Sequence, residues 1–420
     1  MTAEDHPLLI VGAGHAGSEL AVAARQNGWS GRIVLLGDEP VPPYQRPPLS
    51  KAYLLGKADV DSLALRGASV YAAANIELRP GARVRAVDRA AHLVELADGS
   101  RLSYRKLAWC AGGRPRPFVC DGIDEAAAPS NLFHLRTLAD SDRIRAALRP
   151  GARLIVIGGG YVGLEVAASA RGLGAEVTVV EAQPRVLARV AGPEVSAFYE
   201  SVHRRAGVQV LTGGVQRVSC VAGRIAAVLL ADGQVLEADA VVAGIGMLPN
   251  VEVLAAAGLP ADGGIRVDSL SRTEDPDIVA AGDCTMQQHG LYDRPLRIES
   301  VPNALEQARA AASWLCGKPK PNRSVPWFWS DQYDLKLQMA GLSTGYEQCV
   351  LRGDPAARSF CAFYLRGPRL LAVDAVNRPG DFMAARRALT QPVEVDAGRL
   401  ADESVPLKEL LKPADVQVTD

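Results

Sequence analysis

The sequence predicts an α/β protein with two Rossmann-like dinucleotide-binding domains and a smaller C-terminal α+β domain. Three observations predict it. A plan of buried strand, glycine turn, helix and strand occurs twice. Each copy is followed by a β segment that turns at Asp-Gly, and the chain changes character from about Val325.

The first copy opens on Leu8-Leu9-Ile10-Val11, a continuous apolar run of the kind that forms a strand covered on both faces. Gly12-Ala13-Gly14-His15-Ala16-Gly17 follows, then a helical stretch to about Gln26 and a second strand at Arg32–Leu36. Ala97-Asp98-Gly99-Ser100 sits between alternating runs in residues 92–104 and reads as a hairpin. The unit ends in a strand entering Ala111-Gly112-Gly113. The second copy repeats every step. Leu154–Ile157 leads into Gly158-Gly159-Gly160-Tyr161-Val162-Gly163, a helix, and the strand Val177–Val180. Ala231-Asp232-Gly233-Gln234 supplies the hairpin, and Gly244-Ile245-Gly246 the closing glycines. In the tail, Phe360–Val376 alternates like two strands around Arg366-Gly367-Pro368, and a helix is expected at Phe382–Leu389. The predicted domains are a discontinuous first one (1–115 and 245–322), a second at 116–244, and a C-terminal one at 323–420, with Lys318-Pro319-Lys320-Pro321 near the linker.

Composition narrows the class. At 420 residues, 48% hydrophobic and net charge -1, the chain has room for sizeable cores and no global charge to draw nucleic acid. Apolar runs are broken by charge or glycine before spanning length, and no signal peptide is read at the start, so a cytoplasmic protein without membrane contact is expected. The seven cysteines are scattered without a C-x-x-C pair, which argues against zinc or a disulfide framework and for a reducing compartment. None of the six histidines sits in a triad or metal motif, and no metal site is expected.

In G-x-G-x-x-G the first glycine makes the tight turn, the second admits a pyrophosphate, and the third lets helix and strand pack. Gly12, Gly14 and Gly17 fill this pattern in the first copy, with Ala16 inside the loop; Gly158, Gly160 and Gly163 fill it in the second. Glu181, ending the next strand of the second copy, is placed to accept from ribose hydroxyls and repel a 2′-phosphate, which predicts NADH. Arg185 and Arg189 nearby keep NADPH open. In the first copy Asp38 or Glu39 is placed to hold the corresponding ribose; the sequence does not choose between them.

Further motifs bring a family into view. Pro42-Pro43-Tyr44-Gln45-Arg46-Pro47-Pro48-Leu49-Ser50-Lys51, Thr273–Cys284, Glu299–Ala304 and Trp327-Phe328-Trp329-Ser330-Asp331-Gln332 join the two glycine loops. Together they resemble the FAD-dependent ferredoxin reductases of bacterial monooxygenase and dioxygenase systems, from about residue 8 to Leu411. The resemblance implies a glutathione-reductase-like fold, with FAD in the first domain and NADH in the second. It implies that Asp283 bonds the FAD ribitol beside Gly282, and that the helix opening at Val301 points at the flavin pyrimidine ring. Arg46, Lys51 and Arg136 would line the FAD site. Glu165, paired with Lys51, would bind the nicotinamide carboxamide and fix its orientation, and Gly246 would leave it room. A purely structural salt bridge is the competing reading of Lys51 and Glu165.

Trp329 is similar to the family tryptophan beside the flavin on the electron-exit side; core packing is its competing reading, and Trp327 and Phe328 are expected in the core. The implied partner is an acidic 2Fe–2S ferredoxin, docking on Arg309, Lys408 and Lys336 and feeding a monooxygenase. For those three cations, solvated surface charge is the competing reading. A rubredoxin reductase or an NADH-sensing flavoprotein with a binding role are the alternatives, and a monomer or weak dimer is expected. One departure stands out: Trp109-Cys110-Ala111 precedes Gly112 where the family has a threonine, so one FAD hydrogen bond worth about 1 kcal/mol is expected to be missing. Residues 37–57 hold no cysteine, so electrons must leave the flavin without a thiol relay.

Overall fold

The computed structural model describes residues 7–124 and 127–411. They fall into two compact units, one of residues 7–45, 60–114 and 248–326, the other of residues 46–59, 115–247 and 327–411.

The first unit is built on a parallel sheet in the order Ile278–Ala280, Lys106–Trp109, Leu8–Val11, Ile33–Leu36, Ile76–Arg79. Successive side chains divide between its two faces, as strand geometry requires. Leu8, Ile10, Ile33, Leu35 and Ala108 pack under the helices His15–Asn27 and Val301–Leu315, to which Ala16, Ala24, Ala304, Ala308 and Ala311 contribute small contact residues. Leu9, Val11, Val34, Leu36 and Trp109 pack under the antiparallel strands Val84–Asp88 and Leu93–Leu96. Both faces are covered, which is why these strands read as unbroken apolar runs. The predicted hairpin is present between Leu93–Leu96 and Arg101–Ser103, closed by Gly99 N–H donating to Leu96 O at 3.0 Å.

The second unit repeats the plan with Gln209–Thr212, Glu176–Glu181, Arg153–Ile157, Ala240–Ala243 and Leu132–Phe133 in that order, all parallel. Its hairpin joins Arg224–Leu230 to Val235–Glu237, closed by Gly233 N–H on Leu230 O at 3.0 Å. Even the helix ends correspond. After His15–Asn27, Trp29 N–H reaches back to Ala24 O at 3.0 Å past Gly28; after Tyr161–Gly172, Ala175 N–H reaches back to Ala170 O at 3.1 Å past Gly174.

The C-terminal segment forms an antiparallel sheet in the order Trp327–Gln332, Leu335–Gly341, Arg369–Val376, Ser359–Arg366, Gln348–Asp354. The helix after it is Pro379–Ala388, starting three residues before the expected Phe382 because proline fits the first helical turn. One face of this sheet shares a core with the second dinucleotide fold, while Phe363, Val373 and Ala375, outside that shared cluster, are buried as well. Leu337, Met339, Phe360, Ala362 and Tyr364 share one cluster with Val156, Leu164, Val195 and Phe198 of the second dinucleotide fold. Residues 46–59, expected with the first domain, also belong to the second unit. The Ser141 hydroxyl donates to Leu49 O (2.8 Å), the Ser169 hydroxyl to Ser50 O (2.7 Å) and the Tyr53 hydroxyl to Asp142 (3.0 Å).

Candidate active site

The two glycine loops divide their labour identically. Gly12 and Gly158 lie at φ +106° and +103°, and a Cβ would stand 2.2 Å from Cys110 O in the first and 2.5 Å from Gly244 O in the second. A Cβ on Gly17 or Gly163 would stand 2.0 Å from the carbonyl oxygen of Gly12 or Gly158. These four positions are set by packing. Gly14 and Gly160 differ: each is the N-cap of its helix with extended backbone, and a Cβ would meet nothing within 4 Å. The second glycine of each loop therefore opens onto space at a helix N-terminus that no side chain caps, which fits a dinucleotide pyrophosphate in each unit.

In the second unit, Glu181 bridges the loop to its own strand end. Its Oε2 accepts from Gly159 N–H (2.7 Å) and its Oε1 from Gln183 N–H (2.8 Å). The carboxylate is thus fixed beside the cradle, where a ribose would lie. Arg185 donates to Ala191 O (2.8 Å), Ala188 O (3.2 Å) and the Ser196 hydroxyl (2.5 Å). Its guanidinium is committed to the loop, leaving Arg189 as the exposed one of the pair weighed for a 2′-phosphate. Gly246 lies at φ +106° with nothing within 4 Å of a Cβ.

In the first unit Asp38 is exposed, whereas Glu39 is half-buried and accepts from the Tyr44 hydroxyl at 2.6 Å. Asp283 is half-exposed after Gly282, whose Cβ would lie 3.3 Å from that of Ala16, so the chain passes close over the glycine loop. That approach is held by Gln307, which sequence reasoning missed. The buried amide oxygen of Gln307 accepts from Gly282 N–H (2.7 Å) and the Thr285 hydroxyl (3.0 Å), while its Nε2 donates to Gln287 Oε1 (3.0 Å). The helix Val301–Leu315 opens as expected, with Ser300 Oγ accepting from Asn303 N–H and proline in the first turn. Cys110, at the departure from the family pattern, is buried, and burial pushes its thiol well above the usual range.

The second unit brings Lys51 and Glu165 together. Lys51 Nζ lies 2.7 Å from Glu165 Oε2. Two further donors were not foreseen: the Ser50 hydroxyl gives to Oε2 at 2.5 Å and the Ser330 hydroxyl to Oε1 at 2.6 Å. Ser50 and Ser330 adjoin residues already singled out, which is the one signal that pointed to them. Arg46 donates to the backbone oxygen of Arg136 at 2.6 Å, just before a helix, Leu138–Ala147, whose Thr137 and Asp140 form a capping box. The Arg46 guanidinium therefore meets Arg136 at its backbone oxygen.

Trp327, Phe328 and Trp329 are all half-buried: Phe328 packs against the shared core as expected, while Trp327 is not fully buried. They lie on one strand and alternate in facing. Trp327 and Trp329 pack ring to ring at 5.6 Å, with Arg386 4.8 Å over Trp327; Phe328 packs on Tyr161 at 4.8 Å. Lys336 and Lys408 are exposed. Arg309 is not simply a surface cation, since it donates to Glu19 Oε1 (2.7 Å) and Glu306 Oε1 (2.9 Å). Burial would raise the Glu19 carboxyl, but the bonds from Arg66 and Arg309 outweigh it and hold the group below its usual value.

The pyridine nucleotide-disulphide oxidoreductase family matches residues 6–308, and a reductase C-terminal family matches residues 327–411. The chain belongs to the pyridine nucleotide-disulphide oxidoreductases, flavoproteins that bind FAD and NAD(P)H. Within that family it is 49% identical to putidaredoxin reductase of Pseudomonas putida over the whole of both chains. It is 44% identical to rhodocoxin reductase of Rhodococcus erythropolis over 96% of this chain and 93% of that one. Among solved structures it is similar to the covalent putidaredoxin reductase–putidaredoxin complex, at a TM-score of 0.93 and 48% identity over 97% of this chain and 98% of that chain. A NAD-dependent persulfide reductase from A. fulgidus, 21% identical with a TM-score of 0.85 over 96% of this chain and 82% of that one, shares the fold.

Proposed function

We propose that this chain takes electrons from NADH onto FAD and passes them singly to a 2Fe–2S ferredoxin serving a cytochrome P450-type monooxygenase. The observation that carries the reading is the full-length likeness to putidaredoxin reductase, C-terminal segment included, since that segment holds Trp329 and the Ser330 bond to Glu165. Bound FAD supplies the chemistry that turns a two-electron donor into one-electron steps. The chain's residues supply placement. Gly12, Gly14 and Gly17 take the FAD pyrophosphate, and Asp38 or Glu39 its ribose. Asp283, Val301, Arg46, Lys51 and Arg136 take the remainder of that cofactor. Gly158, Gly160 and Gly163 take the NADH pyrophosphate, Glu181 its ribose, and Glu165 beside Lys51 and Gly246 its nicotinamide. Alignment is the main catalytic contribution, and Trp329 stands on the exit side.

All seven cysteines are free and, among the described residues, no helix is long and apolar enough to cross a membrane, which supports the cytoplasm as its site. We expect a monomer or weak dimer, read by light scattering. The functional test is anaerobic stopped-flow mixing with NADH, then with a 2Fe–2S ferredoxin. Bleaching of the flavin band followed by ferredoxin-dependent recovery is expected. Recovery with rubredoxin alone would move the acceptor, and an absence of bleaching would overturn the proposal.

A further inference from the structure

Glu165 is the inner end of a hydrogen-bonded chain that begins at the surface. The hydroxyl of Tyr333, a residue 39% exposed, donates to His203 Nδ1 at 3.1 Å. His203 Nε2–H donates to Gln332 Oε1 at 2.8 Å, and Gln332 Nε2 donates to Ser330 Oγ at 3.1 Å. The Ser330 hydroxyl then donates to Glu165 Oε1 at 2.6 Å. An amide gives through nitrogen and accepts through oxygen, so His203 presents an Nε2–H to Gln332. Burial pushes that imidazole below its usual range and so favours the neutral form, in which Nδ1 accepts from Tyr333. Every donor points toward the carboxylate, and each bond accepted polarises the next donor. His203 and Ser330 are 0% exposed and Gln332 is 1% exposed, so water does not compete along the chain.

The lone pairs of Glu165 are then nearly all assigned. Oε2 accepts from Ser50 and Lys51, which fills it; Oε1 accepts from Ser330 and has one lone pair left. We infer that Ser330, Gln332 and His203 are positioning residues for NADH, fixing the rotation of Glu165 so that the remaining Oε1 lone pair accepts the nicotinamide carboxamide N–H. The inference rests on the proposed role of Glu165. It adds that the C-terminal segment, through the strand Trp327–Gln332, helps to set the NADH geometry.

The test uses the FAD-loaded protein and the variants Ser330→Ala, Gln332→Leu, their double variant and Glu165→Gln. Calorimetry gives the affinities for NAD+ and for ADP-ribose, which lacks the nicotinamide; stopped flow gives the limiting rate of flavin bleaching by NADH. Each single relay variant is expected to lower that rate about tenfold and to weaken NAD+ while ADP-ribose binding stays unchanged. The double variant should match Ser330→Ala alone, because Gln332 acts only through Ser330. Gln332→Leu, close in volume, keeps the test alive if Ser330→Ala fails to retain FAD. Unchanged relay variants beside a slowed Glu165→Gln would overturn the relay and leave the role of Glu165 standing. An unaltered Glu165→Gln would overturn both. Parallel loss of ADP-ribose binding, or additive effects in the double variant, would reduce the chain to a structural tie and overturn the inference.

Discussion

At the scale of single residues, glycines of one motif have opposite tolerances. Gly160 has extended backbone and open space where its Cβ would be, so Gly160→Val should fold with a near-unchanged melting temperature yet lose more than about tenfold in NADH affinity, as its side chain occupies the pyrophosphate cradle. Gly163→Ala places a methyl 2.0 Å from Gly158 O and should cost about 3 kcal/mol in chemical denaturation. Gln307→Leu strips the acceptor from Gly282 N–H and the Thr285 hydroxyl. A loss of about 1–3 kcal/mol is expected, with a lower flavin content on purification because Asp283 follows directly. The glycine roles were legible in the sequence because turn, cradle and packing are local backbone requirements. Gln307 was not, because nothing in a helical Glu306-Gln307-Ala308 run announces a partner at Gly282.

Elements carry their own chemistry. In the C-terminal sheet, Asp374 on Arg369–Val376 faces Tyr364 on Ser359–Arg366, whose hydroxyl donates to Asp374 Oδ2 at 2.5 Å and accepts from Gly192 N–H at 2.9 Å. The pair thereby anchors the start of the helix Pro193–Arg205 and the loop that leads to it from Glu181. Burial raises the Asp374 carboxyl to about 7, against the hydrogen bond from Tyr364 that lowers it. A carboxyl raised in the folded state binds its proton more tightly there than when unfolded. Its charge therefore costs stability progressively as pH rises from about 4 to about 7, and the cost is complete above that. Asp374→Asn should melt close to the parent at pH 5 and several degrees above it at pH 8 by scanning calorimetry. An equal shift at both pH values would contradict the assignment. The strands and the Asp-Gly hairpins were readable from period and turn chemistry, but the pairing of Asp374 with Tyr364 arises only when the two strands meet in register.

At the scale of the molecule, the proposed acceptor must find a basic face, and the three cations singled out for it are not equivalent. Lys408→Glu and Lys336→Glu change exposed charge and should raise the ferredoxin KM and flatten its salt dependence without moving the melting temperature. Arg309→Glu would set a third carboxylate against Glu19 and Glu306, so it should also lower stability, visible as an earlier melt. The doubled dinucleotide plan and the distinct C-terminal segment were both legible in the sequence, but the core that joins that segment to the second fold was not. The shared core of Leu337, Phe360 and Tyr364 with Val156, Leu164 and Phe198 depends on contacts far apart in the chain, which local patterns do not encode. The strand Trp327–Gln332 draws these scales together. Its odd positions carry the tryptophan pair and its even positions carry Ser330 and Gln332 toward the carboxylate. Inserting or deleting a single amino acid there would exchange the two sets at a stroke. Engineers who retune this edge for a foreign redox partner should therefore expect donor turnover to drift with it, and should screen both activities in every library.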